Sequence, residues 1–449
     1  MCRIVPTLVF LAVAVPAPAQ LRNPLLDPRY VDSEQVFDST ELARIDLTMT
    51  EADYQFLLAD PAARIEVPAD MRFRNAHLDE TLQSVGVRFR GGTSINLRKH
   101  SWDIDFNHFI EGQRFHGLRQ FNVNSHHNDP SILRGHLMLE FCRREGIPAP
   151  RSHLCDLHLH TTGPGGITGR FLGTFVNTEQ IDGTFLRAWY SENDGPLYKC
   201  TFPANLTVIG EGASEDYAVP QYELADDNDG AGRGPLAAFI RALSEIPGNQ
   251  FEAQFPLVFD VDTYLRSLAV ETAFGHWDGH WANQNNFFLY HIPPGAAPGT
   301  GLIQFITYDV DNVMEVNFTG TDTATVAPLN FGTRSTSNRP LPNRVLAVTA
   351  WRNRYLQILS EWYRDEFTPV RMAPEIARLR DLIAPSILAD LAGENHYGDQ
   401  WGFDFDDFLD SVNGTGGVAF FVRRGVFEYV SVRSQYEIPS GLFLWGPAL

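Results

Sequence analysis

Cysteine is scarce in this chain, with four residues in 449, and no two of them stand in C-x-x-C spacing, which argues against a cysteine-built zinc centre. Cys2 falls in an N-terminal segment that reads as removable, so Cys142, Cys155 and Cys200 remain. That odd set is compatible with one disulfide and a free thiol, and the sequence does not choose the pair. Positive charge is short as well: 35 Lys and Arg against 55 Asp and Glu leave a formal charge of −20. A nucleic acid or an anionic membrane would meet net repulsion, so neither is expected as a partner. After the N-terminus no apolar run approaches membrane-spanning length, which excludes a transmembrane segment from the expected organisation. Internal repeats are missing too. The acidic stretch Ala225–Gly232 resembles a calcium loop only superficially, because Ala225 stands where the first acid belongs and no Glu closes it.

What is present is a globular composition, 44% hydrophobic, able to bury a sizeable core. Arg3, the apolar run Ile4–Val15 and Ala17-Pro18-Ala19 follow the three-part pattern of a secretory signal, which predicts residues 1–19 as a signal peptide and a secreted or surface-associated mature protein. Residues 20–40 read as a polar leader. The domain is expected over 41–440. Its first part, to about residue 200, is β-rich: Ala43–Met49 alternates as a strand before a helix at Thr50–Tyr54, and Ser84–Arg90 and Trp102–Phe106 form a hairpin around a glycine-bearing loop. Ser131–Gly146 reads as a helix closed by glycine, with strands again at Leu154–His160 and Gly169–Asn177. From about residue 201 the period turns helical: Val261, Tyr264, Leu265 and Leu268 share one face, with similar patterns at Arg344–Trp362 and Ile376–Leu391. The expected fold is α+β, a β-rich N-terminal lobe and a helix-rich C-terminal lobe with a cleft between.

Chemistry concentrates in three places. His276–Asn286 carries Asp278 followed by Asn283, Asn285 and Asn286, and phosphoryl transfer needs such a set: a carboxylate to accept a hydroxyl proton and an amide oxygen to ligate Mg²⁺. Phe305–Asn312 is an apolar strand ending in Asp309 and Asp311, which alternation would aim to one side, where they repel unless a hard cation separates them. A turn capped by its own Asp and Asn side chains fits the same residues. The third place is Arg88–Ser94 with the following Arg98–Ser101, where Arg90, Lys99 and exposed backbone N–H groups suit phosphate oxygens. A β-turn flanked by surface cations is the plain alternative.

In the order and wording of these segments the chain resembles the spore coat protein H (CotH) kinase family. The resemblance runs through Val85–Ser94, Lys99-His100-Ser101, Phe115–Leu118, Arg144–Pro150, Leu197-Tyr198-Lys199, Asp278–Tyr290, Tyr308–Asp311 and Trp351–Tyr355. It implies an atypical protein-kinase-like fold with ATP in the cleft, and transfer of the γ-phosphoryl group to serines of a protein substrate, the enzyme itself among the candidates. On that resemblance Asp278 is the catalytic aspartate and Asp309 a metal ligand for Mg²⁺ or Mn²⁺, with Asp311 beside it. Asn286 and Asn283 compete for the ligating asparagine, Arg90 and Lys99 are both candidates for phosphate contact, and Tyr198 and Tyr308 would face opposite sides of the adenine. Tyr308 stands where the family usually has tryptophan. The acidic surface suggests a basic, Ser-rich substrate. Two other classes share these features: a non-catalytic surface scaffold of the same fold, and a metal-dependent hydrolase built on His276, Asp278 and His280 with Ser125–Asp129.

Overall fold

The computed structural model describes residues 31–438 apart from 93, 295–300, 333–337 and 393–400. The expected signal segment 1–19, residues 20–30 of the leader and Thr93 lie outside the described residues.

Strand β1 (Ala43–Thr50) buries Ala43, Ile45, Leu47 and Met49 on one face, as its alternation predicts. Thr50 ends it by accepting a hydrogen bond from the Asp53 N–H, which starts helix α1 (Glu51–Ala59) at the expected place. Strands β2 (Val67–Arg74), β3 (Asp79–Arg90), β4 (Ser101–Asp105), β5 (Gln120–Asn124), β6 (Ser152–Thr162) and β7 (Arg170–Glu179) complete a closed barrel in the order β1-β2-β3-β4-β5-β7-β6. Parallel pairing of β1 with β6, from Ala43 opposite Cys155 to Thr50 opposite Thr162, closes it and leaves no free edge. Ile45, Leu47, Met71, Phe73, Val87 and Phe121 belong to its apolar interior.

Between β5 and β6 the chain leaves the barrel for helix α2 (Arg134–Arg144). It starts three residues later than the apolar pattern suggests, because Asp129 accepts bonds from the N–H groups of Ser131 and Arg134 and shapes the entry. It ends where expected: Gly146 takes φ +70°, and the Ile147 N–H turns back to the Cys142 carbonyl. Its apolar residues join a second core with helices α3 (Val261–Phe274), α4 (Thr349–Asp365), α5 (Pro369–Ala392), α6 (Phe405–Asn413) and α7 (Val426–Ser434).

A four-stranded antiparallel sheet, ordered β11-β10-β8-β9, packs in the same half: β8 (Leu197–Cys200), β9 (Tyr222–Asp226), β10 (Phe287–Ile292) and β11 (Leu302–Thr307). Every residue of β10 is buried, so it reads as a continuous apolar run rather than an alternation. This sheet joins segments on both sides of residue 200, and β8 pairs with it rather than with the barrel. The architecture is therefore α+β, with a barrel followed by a helix-covered sheet.

Cys142, Cys155 and Cys200 are all buried and free, so the disulfide considered from the sequence does not form among them. Burial pushes the Cys142 and Cys155 thiols well up, leaving both protonated and inert at neutral pH. Among the described residues no helix is long and apolar enough to cross a membrane.

Candidate active site

Where α3 ends, Gly275 adopts φ +69°, and a Cβ there would stand 2.5 Å from Thr323 Oγ1 and 2.6 Å from the Tyr429 hydroxyl. Only glycine fits that turn, which sends the chain abruptly into His276–Asn286. Gln284 and Asn286 also take left-handed backbone, φ +58° and +57°. Asparagine tolerates that region better than most residues. The turn folds the amides back on Asp278: Asn283 Nδ2 donates to Oδ1 at 2.5 Å, Asn285 Nδ2 to Oδ1 at 3.3 Å, and Asn286 Nδ2 to Oδ2 at 3.0 Å. One carboxylate thus accepts from three asparagines. Asn285 is held in turn by the Phe202 N–H, at 2.9 Å from its Oδ1.

The Asn286 carbonyl accepts the Tyr308 N–H at 3.1 Å, which ties this turn to the end of β11. β11 stops at Thr307, and Asp309 sits beyond it with φ +51°. Strand alternation therefore does not aim Asp309 and Asp311, contrary to the expectation from the sequence; a strained loop does, and both acids still line one groove.

That groove holds about 940 Å³ and is walled by β3–β5, the Ser125–Asn128 loop, β8 and the two acidic turns. Arg90, Lys199, Asp278, Asn283, Asn286, Tyr308, Asp309 and Asp311 all face it. Arg90 Nη1 donates to Asn124 Oδ1 at 3.1 Å and Nη2 to the Tyr308 hydroxyl at 3.0 Å, so β3, β5 and the turn after β11 meet through one guanidinium. The Tyr308 ring meets Phe288 edge-on, with centroids 5.0 Å apart, and Lys199 Nζ lies 5.4 Å from its centre.

Enclosure in the groove raises the proton affinity of all three acids. Burial lifts Asp278 against the lowering pull of its asparagine bonds. Asp309, still open to water from the groove, is raised by desolvation against the opposing charges of Arg90 and Lys199. Asp311 is raised furthest, by burial and then by the charges of Asp309, Asp278 and Asp129. The carboxylates of Asp278, Asp309 and Asp311 and the side chains of Asn283 and Asn286 line one groove with hard oxygens, the donor type that Mg²⁺ or Mn²⁺ prefers. Both amides spend their nitrogens on Asp278, so the oxygen is what each offers to a cation.

Two expected contacts are not made. Lys99, in the loop between β3 and β4, is buried away from the groove, where Nζ donates to the Thr174 carbonyl at 2.8 Å and stands 3.8 Å from Asp390, with the Phe175 ring at 4.9 Å. Tyr198 points into the helical core, and its hydroxyl donates to the Gly232 carbonyl at 2.6 Å. The physical reason is the two-residue period of β8: a register that buries Tyr198 turns Lys199 to the groove. Lys199 is the cation that sequence reasoning missed, and a single charge in the apolar run Leu197–Cys200 was its signal. Arg88 also lines the groove, in a segment where the sequence singles out Arg90 alone.

Among the described residues His126, His127, His276 and His280 do not gather into a metal set. His280 packs among Tyr264, Phe287 and Phe305, and burial drops its pKa to about 3; His276, also buried, falls to about 4. Neither lines the groove, whereas His126 and His127 do. Among the described residues, the group of three His, Cys, Asp or Glu close enough to share an ion is Glu66, Asp105 and His108, outside the groove.

The CotH kinase protein family model matches residues 87–413. Inner spore coat protein H of Bacillus subtilis (strain 168) is 25% identical over 329 residues, which cover 72% of this chain and 82% of that protein. Invasin CotH3 of Rhizopus delemar is 23% identical over 435 residues, 91% of this chain and 68% of the invasin. Invasin CotH2 of the same fungus is 22% identical over 417 residues, 89% and 67% respectively. The matched region spans β3 through α6, with both acidic turns and the groove between them, and the chain belongs to the CotH kinase family.

Proposed function

We propose that this chain is an exported, ATP- and Mg²⁺- or Mn²⁺-dependent protein kinase that phosphorylates serine hydroxyls of a protein substrate, with the barrel as one lobe, the helix-covered sheet as the other, and ATP in the groove. The observation that carries this reading is Asp278, immobilised by three asparagines, in the same groove as Asp309 with Arg90 and Lys199 beside it. Asp278 orients the serine hydroxyl and accepts its proton, and a raised carboxyl pKa improves that acceptor. The serine oxygen bonds to the γ-phosphorus as the bond to ADP breaks. Arg90 and Lys199 bind phosphate oxygens and neutralise charge as it shifts toward the leaving group. Asp309, Asp311 and one or both of Asn283 and Asn286 would hold the divalent cation, which supplies further charge neutralisation on the phosphates. The expected substrate is basic and Ser-rich, complementary to the acidic net charge.

A second reading is a surface scaffold that keeps the fold and the groove without transferring phosphate. Its support is the naming of relatives as a coat protein and as invasins. Incubation of the protein with labelled ATP, Mg²⁺ or Mn²⁺ and a basic serine-rich substrate separates the two. Transfer that vanishes in folded Asp278→Asn and Asp309→Asn supports the kinase. ATP-induced thermal stabilisation of the wild type without transfer supports the scaffold and sinks the kinase.

A further inference from the structure

Beside the groove lies a second cavity of about 440 Å³ that shares Trp277 and Asn283 with it. Its other walls include Ala282, Thr321, Val326 and Phe331. Asn283 is the residue whose amide holds Asp278 Oδ1, so the cavity opens immediately next to the catalytic carboxylate. Trp277 presents an apolar ring to it, because its indole N–H is already spent on the Val316 carbonyl at 2.6 Å. Val326 and Phe331 add aliphatic and aromatic surface, and among the described residues no charged side chain lines the cavity.

The cavity is also preformed. Asn317 accepts bonds from the Thr319 N–H and hydroxyl and donates to the Thr321 carbonyl, which fixes the turn at its rim. Buried Glu315 accepts from the N–H and hydroxyl of Thr323 and the N–H of Ala324, anchoring the following wall. Phe318, 40% exposed, extends the apolar surface to the groove mouth, where Phe420 stands 75% exposed.

We propose that this cavity is a specificity subsite that receives a large apolar side chain adjacent to the phosphoacceptor serine in an extended segment of the substrate. The proposal rests on the kinase reading and adds a sequence preference to it. Continuity with the groove picks this occupant: a peptide that places its serine hydroxyl on Asp278 runs past Asn283, and its neighbouring side chain enters the space beyond. A lining whose described residues carry no charge leaves a charged neighbour unpaired, and favours an apolar one through area removed from water.

The test uses the full chain and basic serine-rich peptides that are identical except for the residue flanking serine, Leu or Gly, placed before or after it. Leu at one of the two positions is expected to raise kcat/KM by about tenfold or more, chiefly through KM. Val326→Trp and Thr321→Trp, each at a half-buried residue of the lining, fill the cavity from two different stretches of its wall. Either is expected to bring the Leu/Gly ratio close to one, with thermal melting reporting that each variant is folded. A ratio near one in the wild type, or a preference that survives both fillings, overturns the subsite. Absence of transfer to every peptide is a different result: it removes the kinase reading, and this inference with it.

Discussion

Asn286 grips Asp278 twice, with its Nδ2 3.0 Å from the carboxylate Oδ2 and 3.2 Å from the main-chain carbonyl of the same residue. The side chain and backbone of the proposed base are thus fixed by one amide, and that amide is free to act elsewhere only through its oxygen. The two residues should therefore fail differently. Asp278→Asn removes the proton acceptor and is expected to lower kcat by about 10²–10⁴-fold without changing the Mg²⁺ concentration that gives half-maximal rate. Asn286→Ala loosens the base and removes a candidate ligand, so kcat should drop about tenfold or more while the Mg²⁺ requirement rises. Metal titration of steady-state rates checks both, and an unchanged requirement in Asn286→Ala would leave Asn283 as the ligating amide.

Lys199 and Lys99 offer a second contrast, because one faces the groove and the other is buried behind the barrel wall. Lys199→Met should raise the KM for ATP by roughly 10–100-fold, the loss of one charged contact, with melting temperature nearly unchanged. Lys99→Met should instead cost stability on the order of 2 kcal/mol, since the ammonium facing Asp390 and the Thr174 carbonyl disappears, and leave the KM for ATP alone. Reversal of these two phenotypes would restore Lys99 to the phosphate site.

The same pair shows what the sequence made legible. Asp278, the asparagines after it, and Asp309 stand in short continuous runs, so local spelling was enough to mark them. The period of α3 was equally local, whereas its ends, with the Thr263 N–H donating to Asp260 and Gly275 closing the helix, come from the structure. Lys199 escaped because its direction depends on which face of β8 is buried, and that is decided by pairing with β10, where Lys199 stands opposite Phe288. Barrel closure was hidden for a related reason. Ala43 meets Cys155 across a parallel pairing between distant segments, and neither strand alone announces its partner. The loop that aims Asp309 depends on a left-handed backbone at an aspartate, which a strand pattern running up to Thr307 does not foretell.

Glu271 gives a pH prediction. This carboxyl on α3 is buried, with the Thr307 hydroxyl 3.3 Å from its Oε1, and desolvation pushes its pKa up from 4.5 to about 8. Between those values the folded chain keeps a proton that the unfolded chain has released. Stability must then decline as pH rises through that window, by up to about 1.4 kcal/mol per unit, and flatten above it. Glu271→Gln preserves the neutral shape and removes the proton, so its unfolding free energy minus that of the wild type should grow from pH 5 to 8. Urea unfolding at each pH measures this difference, and parallel profiles for the two proteins would refute the buried neutral acid.

The final prediction concerns Arg134 and Asp129, an ion pair with both side chains fully buried. The Arg134 guanidinium also donates to the carbonyls of Met314, Ser411 and Arg424 at 3.1, 3.2 and 2.9 Å and to the Ser411 hydroxyl at 2.7 Å. One cation thereby joins the start of α2 to the segment after Asp311, to α6 and to the approach to α7. Arg134→Met fills similar space but strands a buried carboxylate and four acceptors, so a loss of about 3–5 kcal/mol is expected. Asp129→Asn alone leaves the cation its carbonyl partners and should cost less. In the double variant no uncompensated charge remains, so its loss should fall short of the sum of the two single losses. A thermodynamic cycle from chemical denaturation measures that coupling; additive losses would mean that the carbonyls, rather than Asp129, hold Arg134 in place.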